Sequence, residues 1–375
     1  MRVLRIDEHS PFRRLLGIGG LGTGIFFKLE GNDTLGRNES RPARLMGVRD
    51  YCKQHIVIYY IAKLLGAQPS GFPFHVLPVG NVGDDSAGQR VIADMQGAGI
   101  DTRQVKKLSG VPTLFSVCFQ YPDGSGGNIT TSNSAAGQLT NGDIDSAVRF
   151  VQPNSRQVIA LAVPEVPLDV RRHFLTEATK LGAFRAASFV SGEVRPAWDT
   201  GMFDMLDLLA LNQSEAEQFA GSEFVTENPV PFVIQCQNCL RTRYPGLSLV
   251  ISAGKHGAYA VTAQAYDFCA APAVAVASTA GAGDALLGGM LAALAAGVPL
   301  MHVGSATKKQ PEEITIETAL QIGVLLASYK CLSPHTIHPS ACLDTLVQFA
   351  ADRGSSFAPT LQQLFVTSPA AQTLA

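Results

Sequence analysis

Short apolar runs and amphipathic stretches alternate along most of the chain, and this alternation predicts the main elements. Three apolar runs, at 158–163, 206–211 and 247–252, are each followed by a helical stretch or a glycine turn. Short apolar strands that alternate with helices are typical of a parallel sheet whose two faces are both covered. The pattern therefore predicts an α/β fold in which a mostly parallel sheet carries helices on both faces.

The first part of the chain adds β-rich segments to this pattern. Residues 15–29 are apolar and glycine-rich and predict two strands joined by a turn, whereas 30–50 are polar and charged and predict a loop or lid. Residues 55–65 have helical spacing and stop at a glycine, a typical helix end. Residues 113–120 alternate in polarity before a Pro-Asp-Gly turn, which predicts a hairpin.

Composition and charge exclude several classes of protein. Hydrophobic residues make up 46% of the 375 residues and charged residues 16%, so the chain can bury a large core and is not intrinsically disordered. The formal net charge of −2 gives no electrostatic reason to expect binding to nucleic acid or to a membrane surface. The longest apolar stretch, 285–300, is too short to cross a bilayer comfortably and predicts a buried helix.

Cysteine use and the N-terminus indicate a cytoplasmic location. Seven cysteines are scattered over the chain, which fits a reducing compartment better than a disulfide framework. Cys236 and Cys239 form a C-x-x-C pair, but no second pair with matching spacing completes a zinc site. Residues 1–14 mix charges and lack the apolar run of a secretory signal.

A glycine-rich segment, Gly17-Ile18-Gly19-Gly20-Leu21-Gly22, matches the G-x-G-x-x-G pattern of dinucleotide-binding folds. The residues that follow, 23–30, include Gly24 and two phenylalanines and favour a strand over a helix. Without a helix N-terminus, a pyrophosphate would lose its amide donors and the helix dipole. The segment is therefore interpreted as part of a strand-turn-strand unit.

The strongest chemical signal is Ser278-Thr279-Ala280-Gly281-Ala282-Gly283-Asp284, which leads directly into an apolar helix. Glycines at a helix N-terminus let several backbone N–H groups converge, and the helix dipole adds partial positive charge, so the loop suits an anion. A carboxylate here would repel a static phosphate, but it makes sense as the base for a hydroxyl that attacks that phosphate. The alternative is that Asp284 only caps the helix.

With these residues the sequence resembles the PfkB/ribokinase family of carbohydrate and nucleoside kinases. Its D-T-x-G-A-G-D signature is followed from Thr279 to Asp284, with Ser278 in place of the usual first Asp or Asn. The resemblance implies one ribokinase-like domain over 1–375, with a small β-rich lid built from parts of 20–50 and 108–135. It also implies that Asp284 is the catalytic base, that Thr279 contacts the nucleotide, and that an anion hole for the γ-phosphate is formed by Ala280, Gly281, Ala282 and Gly283.

Further motifs follow in the family's order. Asn212-Gln213-Ser214-Glu215 resembles the N-x-x-E motif, which implies that Asn212 and Glu215 help to hold Mg²⁺, through water, and the phosphates. Residues 251–258 resemble the strand and glycine turn along the ATP phosphates, which implies nucleotide contacts from Ser252, Gly254 and Gly257. The alternatives are a capping pair of Asn212 and Glu215, and a plain hairpin turn at the two glycines.

The acceptor half departs from the family pattern. The usual strand ending in Asp and the G-G-x-x-x-N helix start are both missing, and Glu30, Asn32 and Asp33 are the candidates to bind sugar hydroxyls. Arg41 and Lys53 belong to a positively charged stretch that also includes Arg37, Arg44, Arg49 and His55. This stretch suggests an acidic or phosphorylated acceptor, although a solvated, charged surface is the simpler interpretation.

The predicted function is transfer of the ATP γ-phosphoryl group to a hydroxyl of a small sugar-like acceptor. The alternatives are a nucleoside kinase of the same fold and a non-catalytic relative that binds a sugar or nucleotide. The expected cofactors are ATP and Mg²⁺. The family often has a monovalent cation (K⁺) beside the anion hole, and Ser278 leaves its presence here open. A homodimer through the lid is a further expectation, with neither nucleic acid nor membrane as a partner.

Overall fold

The computed structural model describes residues 1–123, 126–151, 157–302 and 314–368. In chain order, the strands are β1 (Arg2–Leu4), β2 (Arg14–Ile18), β3 (Gly22–Leu29), β4 (Ala43–Tyr51), β5 (His75–Gly83), β6 (Val105–Leu108), β7 (Leu114–Gln120), β8 (Gly126–Thr130), β9 (Val158–Ala162), β10 (Phe184–Ser188), β11 (Leu208–Asn212), β12 (Ser248–Ser252), β13 (Gly257–Val261), β14 (Tyr266–Ala270), β15 (Ile314–Ile316), β16 (Ser355–Phe357) and β17 (Phe365–Thr367). The helices are α1 (Lys53–Leu65), α2 (Ser86–Gly97), α3 (Asn141–Val151), α4 (Leu168–Lys180), α5 (Ser191–Asp199), α6 (Gln213–Ala220), α7 (Val230–Arg243), α8 (Ala282–Ala295), α9 (Ala319–Lys330), α10 (Leu343–Ala351) and α11 (Pro359–Gln362).

A large sheet forms the centre of the fold, with the strand order β14-β13-β12-β11-β10-β9-β2-β5-β6. The pairs that involve β13 are antiparallel and the other pairs are parallel. One apolar layer, with α1, α2, α8, α9 and α10, covers one face, and a second layer, with α3 to α7, covers the other. Burial on both faces explains why strands such as β9 read as continuous apolar runs. The predicted α/β fold class is confirmed.

A second, four-stranded sheet has the order β4-β3-β7-β8 and is called the small sheet below. Its strand β4 occupies residues 43–51. The polarity pattern predicted a loop or lid over 30–50, and the loop is wrong for 43–50, whereas the family resemblance implied β structure in parts of 20–50. β4 pairs antiparallel with β3 on one side only, and most of its side chains are at least partly exposed. An edge strand with this exposure tolerates charged side chains, and its sequence therefore lacks the apolar pattern of a buried strand.

Three helices of the first layer, α1, α8 and α9, pack with unusually close backbones. A Cβ atom on Gly288 of α8 would lie 2.8 Å from the Val57 carbonyl oxygen of α1. A Cβ atom on Gly323 of α9 would lie 2.5 Å from the Met290 side chain of α8. The prediction of a buried apolar helix after residue 285 is confirmed, because ten residues of α8 are buried. Within the described ranges, no helix has the length and apolar character needed to cross a membrane.

Candidate active site

Asp284 lies in the first turn of α8, close enough to affect the pKa of Glu215, which follows the carboxyl end of β11. Its side chain keeps 13% of its surface exposed. The residue before the helix, Gly281, has φ 80° and ψ 3°, a left-handed conformation that glycine adopts most easily. A Cβ atom there would also lie 2.5 Å from the Thr336 carbonyl oxygen. Gly281 thus lets the chain turn tightly into α8 and present Asp284.

Two amides predicted for the anion hole are engaged in turns. The Ala282 N–H donates to the Thr279 carbonyl at 3.0 Å, and the Ala280 N–H donates to Ser278 Oγ at 3.2 Å. The first N–H groups of a helix have no acceptor inside the helix, and the dipole gives them partial positive charge. The amides of Gly281, Gly283 and Asp284 are therefore the donors that this helix start offers to an anion.

Lys53 comes to the same place from another helix. It is the first residue of α1, and its Nζ lies 4.0 Å from Asp284 Oδ1. The negative charge of Asp284 raises the pKa of Lys53 and keeps the ammonium protonated. The structure thus brings one residue predicted to bind substrate next to the residue predicted to be the base.

Glu165 is a site residue that the sequence analysis missed. It follows β9, and its Oε2 accepts a hydrogen bond from the Lys53 backbone N–H at 3.2 Å. Its φ of 78° is rare for a residue with a side chain. Its side chain fills the space over Gly20, where a Cβ atom would lie 2.4 Å from the Glu165 Cβ. Burial raises the pKa of Glu165 to about 7, against the opposing effect of Lys53.

Asp50 is a second carboxyl group that the sequence analysis missed. It lies near the end of β4 opposite Gly24 and is 6% exposed. Cys118 Sγ donates a hydrogen bond to Asp50 Oδ2 at 3.5 Å. Burial raises the pKa of Asp50 to about 6, and the negative charge of Asp284 adds to this shift. The electrostatic effect places Asp50 near Asp284, so the site collects several carboxyl groups.

Two ammonium groups offset the cost of burying Asp284. Burial raises the pKa of this carboxyl, while the positive charges of Lys53 and Lys330 act in the opposite direction. Lys330 is the last residue of α9 and is fully buried, and its Nζ donates to the Ser278 carbonyl at 2.9 Å. A carboxylate with a raised pKa is a stronger base, and the nearby cations keep it ionised. The arrangement can accept a proton from a hydroxyl near an anion.

The residues predicted to bind nucleotide lie at neighbouring strand ends. Asn212 of β11 and Ser252 of β12 are direct partners in the sheet, and Gly254 and Gly257 form the turn into β13. Asn212 and Glu215 bond to each other: the Asn212 N–H donates to Glu215 Oε2 at 2.8 Å, and the Glu215 N–H donates to Asn212 Oδ1 at 2.9 Å. The structure therefore contains the capping pair that the sequence analysis gave as the alternative.

Comparison with known proteins identifies the family. A family model described as pfkB family carbohydrate kinase matches residues 59–341, which is most of the chain. The chain belongs to the pfkB family of carbohydrate kinases. No curated protein matches the sequence. As a pfkB-type carbohydrate kinase, the protein is an enzyme, and the family resemblance predicted from the sequence is confirmed.

Solved structures show the same fold. A ribokinase from Cryptococcus neoformans var. grubii serotype A in complex with ADP is 16% identical, with 89% of this chain and 99% of that chain covered and a TM-score of 0.67. A nucleoside kinase from Burkholderia thailandensis in complex with inosine is 15% identical, with 91% and 99% covered and a TM-score of 0.64. A provisionally assigned ribokinase II from Escherichia coli in complex with ATP and Mg²⁺ is 14% identical, with 90% and 99% covered and a TM-score of 0.67.

The donor set of this pfkB-family kinase fits a magnesium ion held largely by water and phosphate. No group of three or more His, Cys, Asp or Glu side chains in the described part of the chain is arranged to hold a metal ion. Mg²⁺ commonly keeps several waters and binds through one or two carboxylates plus substrate phosphates. Glu215 is 8% exposed, and its pKa is raised by burial and, to a smaller extent, by Asp284. Glu215 supplies one carboxylate near Asp284, which matches this mode of binding.

Four residues predicted to bind the acceptor lie elsewhere in this kinase. Glu30, Asn32, Asp33 and Arg41 belong to the segment between β3 and β4, at the tip of the small sheet. The Arg41 guanidinium donates to the Asp33 carbonyl and to the Glu39 carboxylate, both at 2.6 Å. From Thr23, near Asp50, to Leu29 the strand rises about 20 Å. In this conformation the structure brings only Lys53 of the predicted acceptor residues to Asp284.

The positive charge near the acceptor site is smaller than the sequence suggested. His55 is fully buried, and burial lowers its pKa to about 4, so its ring is neutral at pH 7. The Arg41 guanidinium forms an ion pair with Glu39. Lys53 is the residue of the predicted basic stretch that lies beside Asp284.

Proposed function

We propose that this kinase transfers the γ-phosphoryl group of ATP to a hydroxyl of a small, neutral, sugar-like acceptor. The observation that carries the proposal is the meeting of two helix starts at one point. Asp284 of α8 and Lys53 of α1 approach to 4.0 Å beside the amides of the 281–284 turn. A base, a cation and an anion site are thus combined, as phosphoryl transfer to a hydroxyl requires.

In the proposed reaction, Asp284 accepts the proton of the acceptor hydroxyl. The hydroxyl oxygen forms a bond to the γ-phosphorus, and the bond from that phosphorus to the bridging oxygen breaks, so that ADP leaves with the electron pair. The amides of Gly281, Gly283 and Asp284 and the Lys53 ammonium stabilise the charge on the transferring group. The distance of 4.0 Å between Lys53 Nζ and Asp284 Oδ1 is longer than a hydrogen bond. The two charges therefore attract each other while the Asp284 carboxylate stays available to the acceptor hydroxyl.

The carboxyl groups around the base favour a neutral acceptor with several hydroxyls. Asp50 and Glu165 have pKa values raised to about 6 and about 7, so near neutral pH Asp50 is mainly an ionised hydrogen-bond acceptor, whereas Glu165 is present both as an acceptor and as a protonated donor. An anionic acceptor would be repelled by these groups and by Asp284. We therefore assign Asp50, Glu165 and Lys53 to the acceptor side and give up the acidic acceptor.

Ser252, Gly254 and Gly257 lie along the strand ends where ATP would bind, with Thr279 and Ala280 at the phosphate end. The solved neighbours that contain ADP, or ATP with Mg²⁺, support nucleotide and metal use. Mg²⁺ supplies neutralisation of phosphate charge when it is bound. Glu215, capped by Asn212, would hold the waters of that ion from a fixed position.

The test is ADP release with a panel of neutral sugars, polyols, sugar acids, sugar phosphates and nucleosides. We expect turnover with a neutral sugar or polyol and little with the acids and phosphates. Preference for a nucleoside would support the alternative acceptor class. Absence of turnover with every acceptor, together with tight binding of MgADP, would instead identify a non-catalytic relative.

We also propose a homodimer through the small sheet in the cytoplasm. Leu45 on β4 and Ile129 on β8 are 61% and 69% exposed, which is unusual for large apolar side chains on two edge strands. Light scattering after gel filtration should give twice the chain mass, and Leu45→Glu should reduce it to one chain. A monomeric wild type at micromolar concentration would contradict the dimer. The cytoplasmic location stays a prediction.

A further inference from the structure

A lysine is buried beside the anion-hole segment. Lys330 ends α9, its side chain has no solvent-exposed surface, and its ammonium donates to the Ser278 carbonyl at 2.9 Å. The backbone joins the same two places, because the Ala277 N–H donates to the Cys331 carbonyl at 2.8 Å. The end of α9 therefore holds the start of the segment 278–284 through a side chain and through the backbone.

This buried ammonium is costly and stays charged. An ammonium removed from water loses far more solvation energy than one hydrogen bond returns. Burial lowers the pKa of Lys330 to about 8, and electrostatic interactions with Cys331, Asp284 and Asp50 oppose that shift. At pH 7 most molecules therefore carry a positive charge at this point. A charge kept at such cost indicates a role beyond packing.

A monovalent cation does not fit the same place. The sequence left open whether K⁺ binds beside the anion hole, as it often does in the family, and ions of this kind are held by carbonyl and carboxylate oxygens. Here Ser278 supplies no carboxylate, and its carbonyl already accepts a hydrogen bond from Lys330. A second positive charge a few ångströms from the ammonium would be repelled strongly in a buried site. The residues present therefore disagree with a K⁺ site.

We propose that the Lys330 ammonium takes the place of the monovalent cation, holds the segment 278–284 in its phosphate-binding conformation and supplies a fixed positive charge beside it. This inference rests on the proposed phosphotransferase function. Lys330 acts through the Ser278 carbonyl and is therefore a positioning residue. The kinase consequently works without K⁺.

The first experiment compares salts on the wild-type protein. Initial rates are measured at one ionic strength in KCl, NaCl and tetramethylammonium chloride, and we expect no difference among them. The affinity for MgADP, which needs no acceptor, is measured by calorimetry in the same salts and should also be unchanged. A K⁺-specific increase of about fivefold or more in rate or affinity would overturn the proposal.

The second experiment removes the ammonium. Lys330→Ala should lower kcat/KM by roughly 10-fold to 100-fold, the effect typical when a supporting group that orients a functional segment is lost. KCl or NH₄Cl should restore part of the loss and tetramethylammonium should not, because the freed Ser278 carbonyl can then bind a small cation. Lys180→Ala is the matched control, because Lys180 is an exposed lysine at the last position of α4. Wild-type rates in Lys330→Ala, or an equal deficit in every salt, would contradict the proposal.

The third experiment uses Lys330→Arg, which keeps the positive charge. It allows the proposal to be tested even if Lys330→Ala does not fold. The charged or titratable groups around Lys330 are Asp284 on α8, Asp50 on β4, and Cys331, His335 and His338 after α9. Wild-type activity should fall above about pH 8 as Lys330 loses its proton. In Lys330→Arg this alkaline limb should move to higher pH, since guanidinium stays protonated. An alkaline limb that lies at the same pH in Lys330→Arg and in the wild type would overturn the proposal. If no acceptor is turned over, the MgADP affinities measured by calorimetry still test the role of Lys330, separately from the proposed phosphotransferase function.

Discussion

The Lys53 ammonium and the Asp284 carboxylate meet at 4.0 Å, although they belong to the first turns of two different helices, α1 and α8. The close packing of these helices at Gly288 fixes this distance. Both helix starts therefore contribute the positive ends of their dipoles to one small volume. The positive potential of the two helix starts allows the buried Asp284 carboxylate to stay ionised next to a phosphate.

Asp284→Asn removes the proposed base with little change in shape. We expect kcat to fall by about 10²-fold to 10⁴-fold, the usual contribution of general base catalysis. Affinity for MgADP, measured by calorimetry, should be unchanged or higher, because a negative charge near the phosphates is removed. Asp169→Asn is the control, since Asp169 is an exposed aspartate in the first turn of α4. Undiminished turnover in Asp284→Asn would exclude the base assignment.

Lys53→Met removes a cation that lowers the pKa of Asp284. The pKa of the base should therefore rise, and the acidic limb of the pH–rate profile should move up by roughly 1 unit. Catalysis at the pH optimum should also fall, because the charge on the transferring group loses a partner. Lys63→Met, at the other end of α1, is the control. An acidic limb that coincides with that of the wild type would contradict the proposed role of Lys53.

Gly281→Ala and Gly283→Ala should separate stability from activity. At Gly281 a side chain meets both the positive φ and the Thr336 carbonyl, so the free energy of unfolding should fall by at least about 2 kcal/mol. At Gly283 no atom lies within 4 Å of an added Cβ, and alanine is the better helix former. Gly283→Ala should keep its melting temperature and lose turnover, because its methyl group enters the space assigned to phosphate. Full activity in Gly283→Ala would place the phosphate elsewhere.

Glu165 should make stability depend on pH. Its folded-state pKa of about 7 lies above its ordinary value of 4.5, so the fold favours the protonated form. This contribution to stability is complete below about pH 4.5 and is lost as pH rises through about 7. Glu165→Gln does not titrate, so its free energy of unfolding relative to wild type should increase over this interval. Urea unfolding at several pH values measures the difference, with the exposed Glu223→Gln as control; parallel curves would contradict the raised pKa.

Patterns that depend on burial could be predicted from the sequence. The strands β9, β11 and β12 and the helix α8 are largely apolar segments because both faces of the sheet, and most of α8, are covered. The strand β4 could not be predicted in this way. It has solvent on much of its surface, so its polarity resembles that of a loop.

The residues of the candidate site also differ in how well the sequence predicts them. The segment 278–284 is contiguous and carries its own chemistry, whereas Asp50, Glu165 and Lys330 are single residues that the topology brings together. Glu165 left a weak signal, an acidic residue between Pro164 and Pro167 directly after an apolar strand, where strand ends form sites. Lys330 left another, a lone cation at the end of an apolar helix. Asp50 left none, because its neighbours are as polar as it is.

The junction between β4 and α1 has a mechanical consequence. Only Cys52 separates the end of the small sheet at Tyr51 from the start of α1 at Lys53. If the sheet pivots there, Asp50 stays close to the pivot while the far tip, which carries Glu30 and Arg41, sweeps a wide arc. With an arm of about 20 Å, a swing of about 20° would carry that tip roughly 7 Å. A short hinge of this kind would let distant side chains reach an acceptor without disturbing the groups that handle the phosphate.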